Sequence, residues 1–382
     1  MASSSPSASA ALTHATLADA LLAAVRARPW HEARDRRRGG LPFTHPPSLD
    51  LAVAVLPQRG PPAWANVLFS REHPEGVVAQ IDERGGAVSN IAFLADPVDA
   101  AGTSIAWQPG SDWQRLAFRP LHGEGALRFV APYPASLIKL MVVVGVASLV
   151  ASGSSSWHER WTHAGETRRV ADWCEPMLTV SSNEATTALV ALLHERGLIR
   201  REAEVETRNG LQALFAQQGL PTLRLANTRA DGGWFNSSGA GVGQLQMTAW
   251  DTVRLLWRLQ DAPAPWLPNG AAAMLPSACR AQLMAWLAAQ QLNQVLSTGS
   301  LQALPGWVSG IQGRFAHKTG TTETYASDAG RVELPGGGYF LIALLTTLGT
   351  CSAPHPDAAC DWNVPLLGAA IERWVVSASP KV

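Results

Sequence analysis

The chain has 382 residues, with 30 basic and 30 acidic side chains, so its formal charge is zero and only 16% of it is charged. That balance excludes the broad basic surface by which a protein binds nucleic acid. With 47% hydrophobic residues, and 15 tryptophans to pack core and lobe interfaces, the chain can bury a large core as one two-lobed domain or two smaller ones.

In chain order, Met1 to Ala11 is rich in Ser and Ala and lacks a basic start. It is not a secretory signal by pattern, which taken alone places the protein in the cytoplasm. Leu17 to Val25 is amphipathic, interrupted by Asp19 and followed by Arg26 and Arg28, and predicts a surface helix. Residues 1–45 form an N-terminal extension that ends in Asp35-Arg-Arg-Arg38 and a Gly/Pro stretch, and 46–382 form the main domain. Leu49 to Leu56, Asn66 to Ser70, Gly76 to Ile81, Asn90 to Leu94 and Leu127 to Val130 are predicted as short strands with turns between them. Gly102-Thr-Ser104 makes a poor nucleophile elbow.

Residues 135–300 are predominantly helical by pattern, strands return over 312–347, and Val364 to Ser377 closes the chain as a helix. Strands at both chain ends around a helical middle imply a mixed α/β (α+β) fold, with one antiparallel sheet from both ends and an inserted all-helical lobe. A cleft between lobes is then the place for a site.

Lysine usage singles out two positions. Three lysines stand against 27 arginines, and two of them, Lys139 and Lys318, fall in Ser136-Leu-Ile-Lys139 and Lys318-Thr319-Gly320; the third is Lys381. Arginine supplies surface charge but cannot lose its proton, whereas a buried lysine can have its pKa lowered far enough to act as a base. Ser136 opens the apolar run Leu137 to Val150, whose helical continuation puts Lys139 on the same face, so that hydroxyl and amine can meet. An N-cap serine is the alternative. Leu140 to Val150 is too short to span a bilayer and fits a central buried helix.

Between the lysines, Ser181-Ser-Asn-Glu184 precedes the periodic Ala185 to Leu193 and fits a capping box. Capping and a role in the cleft are compatible only if one serine caps and the other faces the cleft. Lys318-Thr-Gly lies on a predicted strand, with Tyr339 to Leu345 as another beyond the Gly336-Gly-Gly turn, and Gly320 permits close approach of a substrate backbone. Trp234 and Trp307 are candidates to line the cleft.

Ser136-x-x-Lys139, Ser181-x-Asn183 and Lys318-Thr-Gly320, in that order, form the motif set of class A β-lactamases and penicillin-binding proteins. Pro134-Ala before Ser136, Met177-Leu-Thr-Val before Ser181, Leu304-Pro-Gly-Trp307 and Ala316-His317 before Lys318, and Ser327-Asp328 after it extend the likeness. From about residue 125 to 350 the chain resembles a class A-type serine β-lactamase domain.

The resemblance implies a β-lactamase-like two-lobed fold and an acyl-enzyme on Ser136, with Lys139 as the acylation base. It makes Ser181 the proton relay and Asn183 the ligand of the substrate's acyl amide. Lys318 would supply positive potential, Thr319 and Thr321 would lie along the substrate's edge, and the backbone N-H groups of Ser136 and Thr321 would form the oxyanion hole. Ser182 stands where the family usually has aspartate. The resemblance implies no cofactor, no metal and no membrane span, and a monomer acting on a small β-lactam, peptide or ester. It also implies the periplasm, against the cytoplasmic pattern of the N-terminus.

The family's Glu-x-x-Leu-Asn string, whose glutamate activates the deacylating water, is missing: the corresponding stretch is Leu223-Arg-Leu-Ala-Asn-Thr-Arg-Ala-Asp231-Gly-Gly-Trp234. Asp231 is either a substitute base or a turn former beside Gly232-Gly233. No arginine follows Lys-Thr-Gly closely; Arg331 comes later. Three functions follow from these residues: a β-lactam or cyclic-amide hydrolase, a D-alanyl peptidase or small-ester hydrolase on the same machinery, and a sensor that acylates once or only binds.

Other chemistries lack their patterns. His158-Glu-Arg-Trp-Thr-His163 has the wrong spacing for two ligands on one helical face, and Gly239-Ala-Gly-Val-Gly243 lacks the strand that precedes a dinucleotide loop. Cys351 and Cys360 bracket a Pro-containing loop and are able to pair if oxidised, while Cys174 and Cys279 fall in helical segments as buried thiols.

Overall fold

A computed structural model describes residues 11–95, 115–203, 205–234, 245–297, 313–335 and 337–379. Gly102-Thr-Ser104, Gly239-Ala-Gly-Val-Gly243, Leu304-Pro-Gly-Trp307, Gly336 and Lys381 lie outside the described residues.

The chain starts with α1 (His14–Arg26), then β1 (Leu49–Pro57), β2 (Ala63–Phe69), β3 (Val77–Val78), β4 (Ile91–Ala95), β5 (Arg119–His122) and β6 (Leu127–Ala131). The helical part contains α2 (Lys139–Ala151), α3 (Val170–Thr179), α4 (Asn183–Glu195), α5 (Gly210–Gln217), α6 (Ala249–Arg258) and α7 (Ser277–Ala288). Then come β7 (Phe315–Thr321), β8 (Ala326–Glu333), β9 (Gly338–Thr346) and α8 (Asn363–Ala378).

The main sheet runs β7-β8-β9-β1-β2-β3, antiparallel throughout, so strands from both chain ends meet where β9 pairs with β1. Both faces of its centre are buried, which is why β9 is a continuous apolar run. Phe340, Ile342 and Leu344 share a cluster with Leu17, Leu21 and Val25 of α1 and Leu367, Ile371 and Val375 of α8. Leu341, Ala343 and Leu345 share another with α2, α4 and α6. The predicted amphipathic helix is therefore a cover of the sheet: α1 buries its apolar side against β2 and α8.

Two predicted strands go elsewhere. Ile91–Ala95 and Leu127–Ala131 pair in parallel and, with Arg119–His122, make a separate three-stranded sheet. Phe93 and Phe129 meet edge to face there, in a small core with Leu68 and Ala79, and that core gives the two strands an apolar surface of their own. The helical part is also interrupted by two hairpins, Arg160–His163 with Glu166–Arg169 and Ile199–Glu202 with Val205–Asn209.

Helix α2 is buried along nearly its whole length, as its unbroken apolar sequence requires. No described helix is long and apolar enough to cross a membrane. All four cysteines are free and buried, so Cys351 and Cys360 are not paired, and Cys174 and Cys279 are buried on α3 and α7.

Asp50 ties the sheet to the helical side. From β1 its carboxylate accepts from Asn66 Nδ2 of β2 at 2.8 Å and from the first amide of α6, Ala249 N, at 2.8 Å. Burial nevertheless pushes its pKa up to about 6, from 3.8. A raised carboxyl pKa means the folded state holds a proton that the unfolded state releases, so the burial penalty is absent below about pH 3.8 and complete above about pH 6. Two units correspond to about 3 kcal/mol. Asp50→Asn removes the charge at every pH. The difference in melting temperature, variant minus wild type, is expected to rise by a few degrees between pH 4 and pH 7 in calorimetric scans; a pH-independent difference would contradict the assignment.

Candidate active site

Ser136 lies in a single 3-10 turn, Ala135–Ile138, that leads directly into α2. Ala135 before it takes the left-handed region at φ 50°, which is strained for a residue with a Cβ and fixes how Ser136 is presented. Two contacts hold the turn to the sheet. Ser327 Oγ of β8 donates to Pro134 O at 2.6 Å. On β7, Gly320 lies so close that a Cβ there would sit 2.5 Å from Ser327 Oγ, 2.6 Å from Pro134 O and 2.7 Å from Leu137 N. Any side chain at Gly320 would push the Ala135–Ile138 turn off the strand.

Lys139, the first residue of α2, is 2% exposed. Its Nζ donates to Ser181 O at 2.6 Å, Ser181 Oγ at 3.0 Å and Asn183 Oδ1 at 2.8 Å. Three acceptors use all three protons of an ammonium. The expected meeting with Ser136 is thus replaced: among the described residues Lys139 bonds Ser181 and Asn183, because the bend at Val180–Ser182 points both acceptors at it. Lys318 on β7 is fully buried, and its Nζ donates to the same Ser181 Oγ at 3.0 Å and to Thr319 O at 2.6 Å.

Ser181 can sit between the lysines because it adopts φ 59°, a left-handed conformation that turns its side chain away from the helix start. Ser182 then does the capping: its Oγ accepts from Ala185 N at 3.1 Å at the N-terminus of α4. The expected capping box does not form: the cap is Ser182, not Ser181, and Ala185 at the third helical position has no side chain to reach back, so the two serines divide the tasks. Both lone pairs of Ser181 Oγ are occupied by lysines, so its own proton is free to be given to another group.

The electrostatics follow from burial. Burial pushes Lys139 down to about 8. Lys318 goes to about 7 through burial first and the Lys139 charge second, with Asp328 opposing. Asp328 is engaged on the neighbouring strand, with Oδ1 2.7 Å from His317 Nδ1 and Oδ2 accepting from Leu296 N at 3.0 Å, so it offsets the penalty only in part.

A cavity of about 360 Å³ adjoins this group through Lys139 and is lined also by Ser136, Asn183, Thr321, Trp234 and Tyr133, while Ser181 and Lys318 are not part of its lining. Ala135, Ile138, Thr186, Thr187, Gly232 and Thr322 complete it. Thr319, 3% exposed, and Gly320 lie behind its wall. No Asp or Glu among the described residues lines it. Asp231 forms a turn: its side chain is 58% exposed, Oδ1 accepts from Gly233 N at 2.9 Å and Oδ2 pairs with Arg229 at 3.1 Å. Arg331 stacks over Tyr339 at 4.5 Å, away from the cavity. Among the described residues no cluster of His, Cys, Asp and Glu could hold a metal.

Sequence reasoning missed Tyr133, Thr186, Thr187, Thr322 and the Ser327 anchor. Thr186 and Thr187 lie one turn after Asn183, where helical spacing puts them beside it, and Tyr133 follows β6 within the Pro134-Ala-Ser136 approach. Gly232 fits because its turn presses on α4: a Cβ there would sit 1.9 Å from Thr187 O.

Residues 131–360 match the family described as the beta-lactamase enzyme family. Among solved structures, PBP-A is similar with a TM-score of 0.50 at 15% identity, over 95% of this chain and 97% of that one. A variant of the class A β-lactamase of the last common ancestor of Gram-negative bacteria has a TM-score of 0.51 at 18% identity, over 95% and 98%. A variant of the TLA-1 extended-spectrum β-lactamase has 0.51 at 11% identity, over 94% and 99%. These likenesses establish the fold. No curated protein matches the chain. With well over half of its length matched by the family, and all three motifs inside that span, the chain belongs to the beta-lactamase enzyme family.

Proposed function

We propose that the protein is a serine hydrolase that opens β-lactam or related amide bonds through an acyl-enzyme on Ser136. The observation that carries this reading is the line Lys139–Ser181–Lys318, two lysines of lowered pKa on one hydroxyl, beside an accessible Ser136 at a cavity wall. A neutral Lys139 takes the Ser136 proton as Oγ bonds to the substrate carbonyl carbon. The backbone N-H groups of Ser136 and Thr321 receive the oxyanion. As the C–N bond breaks, Ser181 gives its proton to the leaving nitrogen and regains one from the lysines. Lys318 supplies positive potential, while Asn183 and Thr321 orient the substrate, with Thr319 and Gly320 shaping the strand behind them.

A second reading is favoured by the lack of a lining carboxylate among the described residues. Without a group to activate water, the acyl-enzyme persists, and the same machinery suits a D-alanyl peptide or ester substrate, or a penicillin-binding sensor. Intact-mass spectrometry after exposure to a penicillin, beside turnover of a chromogenic β-lactam, tests both. We expect a burst and an adduct of one penicillin on Ser136, absent in Ser136→Ala. An adduct that survives in Ser136→Ala would remove the basis of the proposal.

The lysines are separated by their replacement with arginine, which keeps charge but cannot deprotonate. Lys139→Arg is expected to slow acylation by roughly 10²–10⁴, and Lys318→Arg by less. Because the base must be neutral, wild-type acylation should rise as pH increases through about 8. Stopped-flow rates that fall equally and mildly for both variants, or that are flat between pH 6 and pH 9, would exclude Lys139 as the base.

A further inference from the structure

The connection between α6 and α7 lines a second cavity, open to solvent and also of about 360 Å³, which shares no lining residue with the first. Arg258, the last residue of α6, reaches into its wall and is 7% exposed. Its Nε donates to Gln218 Oε1 at 2.8 Å and its Nη2 to Ala272 O at 2.6 Å. Both acceptors are neutral, and Nη1 has no partner among the described residues. Burial pushes the guanidinium down from its ordinary value, and the nearby charge of Arg280 pushes the same way.

Arg280, from α7, is 9% exposed and lines the same cavity. It donates through Nη1 to Leu275 O at 2.8 Å and pairs with Asp261. The Asp261 side chain is 85% exposed, so solvent screens what it gives to Arg280 and it gives nothing to Arg258. Of these two buried guanidinium groups, Arg280 has one exposed carboxylate as partner and Arg258 has only neutral acceptors. A buried charge without a counter-charge is costly, and an anion taken from solution relieves that cost. The remaining wall includes Pro263, Leu267 and Pro268, an apolar surface that a bare inorganic ion would not use.

We propose that this cavity binds a small organic acid, its carboxylate or phosphate head on Arg258 and Arg280 and its apolar part against Pro263, Leu267 and Pro268. The planar fork of a guanidinium suits either head group, and the volume falls in the range of small-molecule sites, roughly 300–1,000 Å³.

Calorimetric titration of the full chain with benzoate, phenyl phosphate and acetate at constant ionic strength tests the proposal. Saturable binding is expected for benzoate, phenyl phosphate or both, which distinguishes the head groups, with acetate weaker by roughly tenfold for want of apolar contact. Arg258→Gln should weaken binding by roughly tenfold or more. Asp261→Asn removes a competing carboxylate at an exposed position where folding is not at stake, and should strengthen binding roughly two- to fivefold. No saturable heat with any probe, in wild type and Asp261→Asn alike, overturns the proposal. So does binding that ignores Asp261→Asn, because the anion then sits elsewhere.

Discussion

One hydroxyl accepts hydrogen bonds from two buried amines, and the rest of the structure is arranged to make that contact possible. Lys139 comes from α2 in the helical part, Lys318 from β7 in the sheet, and Ser181 from the bend before α4. Two ammonium groups on one oxygen repel each other and have lost most of their water, so the pair favours a state in which one amine is neutral. A fold that only needed stability would not keep this arrangement. Its cost is carried by the apolar packing around it, where nearly every side chain of α2 and of β9 is buried.

The sheet converts that packing into position. β9 and β1 join the chain ends, α1 and α8 cover one face, and α2 and α6 cover the other, so β7 and α2 are held against a common frame. At their junction the approach is backbone to backbone. Gly320, Pro134 and Leu137 leave no room for a side chain, and Ser327 adds a hydrogen bond across the gap. The turn that carries Ser136 is thereby fixed relative to Lys318 by strands and helices, not by loops, which is the arrangement that holds side chains in a defined geometry.

Much of this was legible in the sequence because its signals are local. The near-absence of lysine marked Lys139 and Lys318; β-rich runs and turn residues marked β1, β2, β7 and β9; the unbroken run after Ser136 marked α2. What was not legible depends on contacts between distant segments. The separate small sheet exists because Phe93 and Phe129 form a core of their own. The one-residue shift of the helix cap depends on Ser181 entering the left-handed region, which no local pattern favours for serine. The Lys139 amine sits on Ser181 and Asn183 because a bend 42 residues later in the chain reaches it. For Asp231 the sequence left two roles open, and the hydrogen bond to Gly233 N with the Arg229 pair makes the turn the role its geometry supports.

The shared hydroxyl can be examined directly, because a chain with three lysines gives three side-chain signals. With 13C- and 15N-labelled lysine, the Cε and Nζ resonances can be followed by NMR as pH is raised. Two of the three should titrate well below the ordinary lysine value of 10.5, near 7 and 8, and should shift each other: in Lys318→Met the remaining buried lysine changes its titration. Three resonances that titrate together near 10.5 would contradict the account, since neither amine would then be available as a base.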